Sequence, residues 1–162
     1  MLIALAGLPG VGKTSIAREL ARAIGAVHLR IDSIEQAILT AGAGLEAMDD
    51  AGYRVAYAVA EDNLRVGRTV IGDAVNPLPI TRDAWRDVAS RAGTPFVEIE
   101  FVCSDRTEHR RRVEERLRQG ATRPTWADVE ARDYRAWNRE HLVIDTAGRT
   151  IDEIVASVTE SI

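Results

Sequence analysis

Gly7-Leu8-Pro9-Gly10-Val11-Gly12-Lys13-Thr14 is the stretch that decides the fold. Its spacing is G-x-x-x-x-G-K-[ST], the Walker A pattern. The glycines let the backbone turn tightly and aim successive N–H groups inward at phosphate oxygens. Lys13 is the only lysine: Lys and Arg total 21, and the other twenty are arginine. A chain that uses arginine everywhere else keeps a compact ammonium in the one slot that must reach between phosphates. Lys13 is expected to reach the β- and γ-phosphates, and the Thr14 hydroxyl to ligate Mg²⁺. The positive end of the following helix adds to the cradle, and Ser15 is expected to touch a phosphate. Gly7, Leu8, Pro9, Gly10, Val11, Gly12, Lys13, Thr14 and Ser15 thus form the expected cradle, with ATP and Mg²⁺ as its cofactors.

The flanks give this pattern its context. Leu2-Ile3-Ala4-Leu5-Ala6 reads as a buried strand, short and apolar and followed at once by glycine. Thr14 to Ile24 reads as a helix with Ile16, Ala17, Leu20 and Ile24 on one face, stopped at Gly25. Further along, strands are expected at 27–31, 69–72, 95–102 and 142–145. Helices are expected at 33–40, at 49–66 with Asp49 or Asp50 as cap, and at 81–91 with Thr81 as cap. More follow at 105–118, at 126–139, and from 150 to 158. Ala41 to Gly44 reads as a break. This alternation implies one α/β domain over 1–162, with five parallel strands and helices on both faces.

Composition excludes several classes. A net charge of -4 argues against a broad nucleic-acid surface. No apolar run approaches a membrane span, and the lone Cys103 allows no internal disulfide, which fits a cytoplasmic protein. A small-molecule partner, no nucleic acid, no membrane, and a monomer or homodimer are the expectations. A switch GTPase would read guanine through an N-K-x-D-like motif, and the single lysine is already used. Asp145-Thr146-Ala147-Gly148 spells D-x-x-G, but at the last strand. The chain is too short for a AAA+ motor with its helical lid domain, and it has no LSGGQ-like signature.

Asp73 follows a hydrophobic strand in the manner of a Walker B acid and is a candidate for the Mg²⁺ shell; a loop aspartate capping the next turn is the other reading. Asp32 ends the second expected strand, on the side where parallel sheets gather ligands. It reads either as an acceptor-side carboxylate or as the N-cap of the helix from Ser33. Glu35 lies one turn on. Arg110-Arg111-Arg112, with Arg116, Arg118 and Arg123, is the densest positive cluster. It reads either as a closing lid that neutralises phosphoryl charge or as a solvated helix paired with Glu108, Glu114 and Glu115. Three histidines, at 28, 109 and 141, have no metal-ligand spacing, and His109 reads as surface.

The sequence resembles the small phosphate-loop kinase group of nucleotide monophosphate kinases, gluconate and shikimate kinases, adenylylsulfate kinase and chloramphenicol phosphotransferase. Within it the chain is most similar to the compact AAA-domain kinase-like proteins of bacteria. The resemblance spans nearly the whole chain. It rests on Gly7–Thr14, on Leu29-Arg30-Ile31-Asp32, on Val70-Ile71-Gly72-Asp73 and on the arginine-rich segment. It implies strand order 2-3-1-4-5, an ATP site at the cradle and a mobile lid at about 105–139. By that resemblance Asp32 accepts the proton of an attacking hydroxyl, and Arg112 and Arg116 face the site in an R-x-x-x-R pattern. Asp145 to Gly148 would turn near the adenine. The loop from Asp73 through Asn76 to Arg82 and Trp85 would hold the acceptor, Asn76 by hydrogen bonding and Arg82 by clamping an anion. Trp85 reads as cleft wall or, more often for its type, as core. Tyr53, Arg54 and Tyr57 would fall in the closing segment. The implied activity is ATP- and Mg²⁺-dependent transfer of the γ-phosphoryl group to a small-molecule hydroxyl. A nucleotide or nucleoside kinase and a nucleotide-dependent regulatory ATPase without an acceptor stand as alternatives.

Overall fold

A computed structural model describes residues 1–42 and 50–162. Its strands are β1 (Leu2–Ala6), β2 (Val27–Arg30), β3 (Val70–Asp73), β4 (Phe96–Val102) and β5 (Leu142–Asp145). Its helices are α1 (Lys13–Ile24), α2 (Ile31–Thr40), α3 (Ala51–Arg65), α4 (Pro79–Arg91), α5 (Arg106–Arg118), α6 (Trp126–Glu130) and α7 (Ile151–Ser161). The five strands form one sheet in the order β2-β3-β1-β4-β5, and every pairing is parallel. Fold class, strand number and strand order agree with the sequence reading.

β1 is central and buried on both faces, which is why its sequence is apolar without alternation. Ile3 and Leu5 face one layer, packed with Ile71, Ile99 and Phe101 against Ile16 and Leu20 of α1 and Ile154 and Val158 of α7. Leu2 and Ala4 face the other, packed with Val70 against Ala56, Ala60 and Leu64 of α3 and Trp85 and Val88 of α4. Trp85 is fully buried, so the core reading of that side chain holds. Its ring packs against β3 because residue 72 is glycine: a Cβ there would stand 2.7 Å from it.

Several boundaries differ from expectation. β2 ends at Arg30, and Ile31 already belongs to α2, which places Asp32 in the first turn of that helix. Leu78 and not Thr81 precedes α4, because Pro79 fits the first helical position with its fixed φ. The Asp50 side chain makes no cap hydrogen bond; Ala43, Gly44 and Asp49 lie outside the described residues.

The largest departure follows α6. A helix to Arg139 was expected, but α6 ends at Glu130 and residues 131–141 run without regular structure to β5. Here interactions with the sheet override local propensity. Glu98 and Glu100, on the α4 side of β4, draw in Arg139 at 2.8 Å (Nε to Oε2) and His141 at 3.1 Å, and His141 stacks on Trp137 at 4.0 Å. This strap meets β4 beside α4, whose Arg86 also pairs with Glu98 at 3.2 Å.

Candidate nucleotide and acceptor cleft

A cavity of about 1090 Å³ runs along the carboxyl edge of the sheet, from the cradle to the β3–α4 loop. That edge is where parallel sheets with a reversal of strand order bind ligands. Pro9 through Ser15 line one end; Asp32, Glu35, Tyr53, Tyr57, Leu78 and Ile80 line the other. Gly7 and Leu8 complete the loop behind the cavity wall.

The cradle is held from three sides. Gly7 has φ 130° and sits so close to β4 that a Cβ would lie 2.2 Å from the Phe101 carbonyl oxygen. Its N–H donates to Val75 O at 3.1 Å, which ties the cradle to the β3–α4 loop. Gly10 has φ 90° and faces Val113 of α5, whose methyl would meet a Cβ at 2.4 Å. His109 is also buried there, its Nε2 at 2.8 Å from Pro9 O, its ring edge-on to Trp126. The surface reading of His109 is corrected: with Val113 one turn on, it forms the inward face of α5 and clamps the cradle. That i, i+4 pairing was the available signal.

Lys13 opens α1 and folds back over the loop. Its Nζ donates to Gly7 O at 2.6 Å and Leu8 O at 2.9 Å. Burial lowers its pKa to about 8, partly offset by the Asp73 and Asp32 charges; Arg116 and Arg132 add to the lowering. A buried ammonium destabilised by its surroundings is ready for an anion. Thr14 is half-buried and Ser15 exposed, and both line the cleft.

Asp73 ends β3, buried, and contributes to the cleft wall. Its Oδ2 lies 3.0 Å from His28 Nε2. Asp32 is exposed at the acceptor end and pairs with Arg30 at 2.6 Å. No side-chain cap hydrogen bond is made at the start of α2, so the capping reading of Asp32 fails. Burial first, then the Asp32 charge, raise the Glu35 carboxyl above its ordinary value. Tyr53, pushed up to about 12 by burial, and Tyr57, whose hydroxyl donates to Thr81 O, form an aromatic wall.

Two expected acceptor ligands lie elsewhere. Asn76 is buried in a left-handed conformation, φ 45°. Its Nδ2 donates to Leu5 O at 2.6 Å and its Oδ1 accepts from Trp85 Nε1 at 3.2 Å. Arg82 is 2 % exposed. Its Nε donates to Asn76 O at 2.9 Å, and its Nη2 to Arg135 O at 2.8 Å and Pro77 O at 3.2 Å. Its guanidinium lies 4.1 Å from the Trp137 ring. Neither side chain lines the cleft. Asn76 shapes the β3–α4 loop, and Arg82 fastens the strap to it; the expectation that they bind acceptor is corrected.

The arginine-rich segment divides. Arg110 and Arg118 pair along α5 with Glu114 and Glu115, the solvated-helix reading; Arg111 pairs with Glu108 and also lines the cleft. Arg112 lines the cleft but is braced by Glu108 at 2.8 Å and by Thr146 O and Oγ1 at 2.9 Å. Arg116 lines the cleft, and its side chain makes no hydrogen bond or ion pair among the described residues. Arg132, beyond α6, is placed the same way, and the sequence reading missed it because a continuous helix was expected there. Asp145 anchors the following turn, accepting from Ser104 N and Ala147 N at 3.0 Å.

Sheet order, cradle and cleft together define a phosphate-loop protein of the kinase-like type. The chain belongs to the family described as AAA domain, whose model matches residues 2–141. No functionally curated protein matches it. Among solved structures, it superposes on a candidate kinase from Chloroflexus aurantiacus J-10-fl with a TM-score of 0.78 at 21 % identity, over 99 % of this chain and 94 % of that one. The APS kinase of Mycobacterium tuberculosis, solved with AMPPNP and APS, gives 0.74 at 25 %, over 98 % and 95 %. Kti12 of Chaetomium thermophilum, solved with ADP-AlF3, gives 0.71 at 18 %, over 100 % and 99 %. No helix among the described residues is long and apolar enough to cross a membrane.

Proposed function

We propose that the protein transfers the γ-phosphoryl group of ATP to a hydroxyl of a small molecule. One observation carries this reading: the phosphate cradle and the Asp32–Glu35 end of α2 line the same cavity. A carboxylate there can take the proton of an acceptor hydroxyl while the cradle holds the donor in line. The likeness to an APS kinase solved with AMPPNP supports ATP as donor. Lys13 would bind the β- and γ-phosphates, and Arg116 would meet charge on the transferred group. Arg112, already braced, would hold α5 over the cradle.

A Mg²⁺ ion fits the donor set. Thr14 and Asp73 offer hard oxygen atoms on the cleft wall, the ligand type this ion takes. Among the described residues no cluster of three or more His, Cys, Asp or Glu side chains forms a closed metal cage. That suits an ion which keeps waters and shares substrate phosphates. When bound, it would neutralise phosphate charge and help orient the γ-phosphoryl group.

The test is ADP release from Mg·ATP across nucleosides, nucleotides, sugars, polyols and aminoglycoside- or phenicol-type antibiotics, with Lys13→Ala as control. A rate that jumps with one class supports the proposal and names the acceptor; a jump with nucleosides or their monophosphates selects a nucleotide-type kinase. Flat slow hydrolysis throughout, with nucleotide still bound, would reject a small acceptor and favour a nucleotide-dependent binding protein.

A further inference from the structure

We propose that His28 is a positioning residue for Asp73, and that it sets how the cleft takes up a divalent cation with nucleotide. The inference rests on the phosphotransfer reading above.

A carboxylate as buried as Asp73, 3 % exposed, is costly unless it is paired or hydrogen-bonded. Lys13 supplies charge from the cradle side: Asp73 heads the charges that favour its protonated form. The hydrogen bond comes from the other side. β2 and β3 run parallel, with Arg30 opposite Asp73 and His28 opposite Ile71. His28 therefore stands one rung behind Asp73 on the same face of the sheet. Its ring reaches forward along the sheet and meets Oδ2 at 3.0 Å. A carboxylate only accepts, so the ring Nε2 carries the hydrogen.

Two consequences follow. One carboxylate oxygen is committed to the ring, and Oδ1 has no hydrogen-bond partner among the described residues, so it is the atom available to a cation or its water. The bond also fixes the carboxylate plane, and without it the side chain would turn toward the Lys13 ammonium. In metal sites, hydrogen-bonding partners behind a ligand typically change metal affinity by about 10–100-fold when removed. Neither role was legible from the spacing of three histidines; it follows from β2 and β3 being neighbours.

The test compares wild type, His28→Leu, His28→Gln and Asp73→Asn for binding of a fluorescent ADP analogue with and without Mg²⁺. Mn²⁺ bound with ADP is followed by electron paramagnetic resonance. His28→Leu is expected to weaken Mn²⁺ uptake about 10–100-fold while leaving metal-free ADP affinity unchanged. His28→Gln, which keeps an N–H of similar reach, restores most of it. If His28→Leu does not fold, His28→Asn, whose amide stops short of Asp73, takes its place. The proposal is overturned if the Leu or Asn variant binds Mn²⁺ like wild type, or if Gln is as defective as Leu. It also falls if ADP affinity drops equally with and without metal. If Asp73→Asn weakens Mn²⁺ uptake and the His28 variants do not, only this inference fails. If Asp73→Asn is silent as well, Asp73's place in the metal shell fails with it.

Discussion

Arg82 discriminates two accounts of the cleft. If it clamps substrate, its loss should remove activity from an otherwise sound protein. If it pins the strap, its loss should first lower stability. The magnitude can be worked from its contacts. Two hydrogen bonds are short, 2.9 Å to Asn76 O and 2.8 Å to Arg135 O, and each charged bond of this kind contributes about 1.5–3 kcal/mol net. Contacts at 3.2 and 3.5 Å to Pro77 O and Ala136 O and the Trp137 ring at 4.1 Å add less. Methionine would refill much of the volume but leave those carbonyls without their donor. These contributions do not add in full, and removing one buried charged partner costs about 3–5 kcal/mol, which is the cost expected for Arg82→Met. In a chain of this length each kcal/mol moves the melting temperature by roughly 2–4 °C, so a fall of about 6–20 °C is expected. Arg82→Lys should recover less than half, because one ammonium cannot span carbonyls held by a planar fork. The assay is calorimetric melting beside ADP release measured well below the variant's transition. Residues 131–141 should also become the first site of limited proteolysis. An Arg82→Met protein that melts within 2 °C of wild type but has lost turnover would refute this reasoning and return Arg82 to the substrate.

Other expectations are direct. Because the Lys13 pKa falls to about 8 in the free protein, a phosphate arriving beside it should draw a proton. Calorimetry in buffers of different ionisation enthalpy should show about 0.5 proton taken up per nucleotide at pH 8 and almost none at pH 6.5, with the uptake absent in Lys13→Met. The same depression makes the unfolded chain bind more protons than the native one between about pH 8 and the ordinary lysine value. Lys13 should therefore penalise stability below pH 8 and release that penalty as pH rises, which denaturant titrations against Lys13→Met would detect. Asp32→Asn should abolish phosphoryl transfer while sparing ATP binding; full turnover would remove Asp32 from the mechanism. Gly7→Ala should destabilise the fold and weaken nucleotide binding together, since its Cβ would meet the Phe101 carbonyl oxygen at 2.2 Å; a normal melting curve would contradict the geometry.

The parts of the molecule that were legible in the sequence are those whose signal is local. The cradle is a contiguous motif, β1 is a contiguous apolar run, and the alternation of elements fixes the layers. Strand order followed only from the resemblance, and the sheet agrees with it. What escaped depends on which distant groups meet. Nothing near Arg82 in sequence announces Arg135, Ala136 and Trp137, so an arginine after an acceptor-like loop reads as an anion clamp when its guanidinium is spent on backbone carbonyls. Asn76 misled in the same way: a polar side chain in an acceptor-like loop was occupied by Leu5 and Trp85. Helical period carried the residues after Glu130 too far, because the charge of Glu98 and Glu100 on the sheet outweighs propensity there.

That last misreading bears on how the cleft works. A continuous helix from 126 to 139 would have made those residues one rigid arm beyond the arginine-rich helix. Instead α5 is fastened to the cradle by His109 and Val113, and the strap is fastened to the β3–α4 loop by Arg82. Between those two anchors lie residues 119–125, the five-residue α6 and Arg132. Among the described residues, the guanidinium groups of Arg116 and Arg132 on the cleft wall are held by no partner, and both disfavour the charge on Lys13. Unneutralised positive charge thus faces the cradle from the end of α5 and from just beyond α6, while α6 itself is joined to α5 by the Arg106–Glu130 pair and the His109–Trp126 contact. A polyanion bound there would relieve the repulsion among Lys13, Arg116 and Arg132, so nucleotide should order residues 119–132 more than any other part of the chain. Hydrogen exchange with and without Mg·ADP would show it as protection concentrated there, and protection spread evenly over α5 and the strap would show that the lid moves as one body after all.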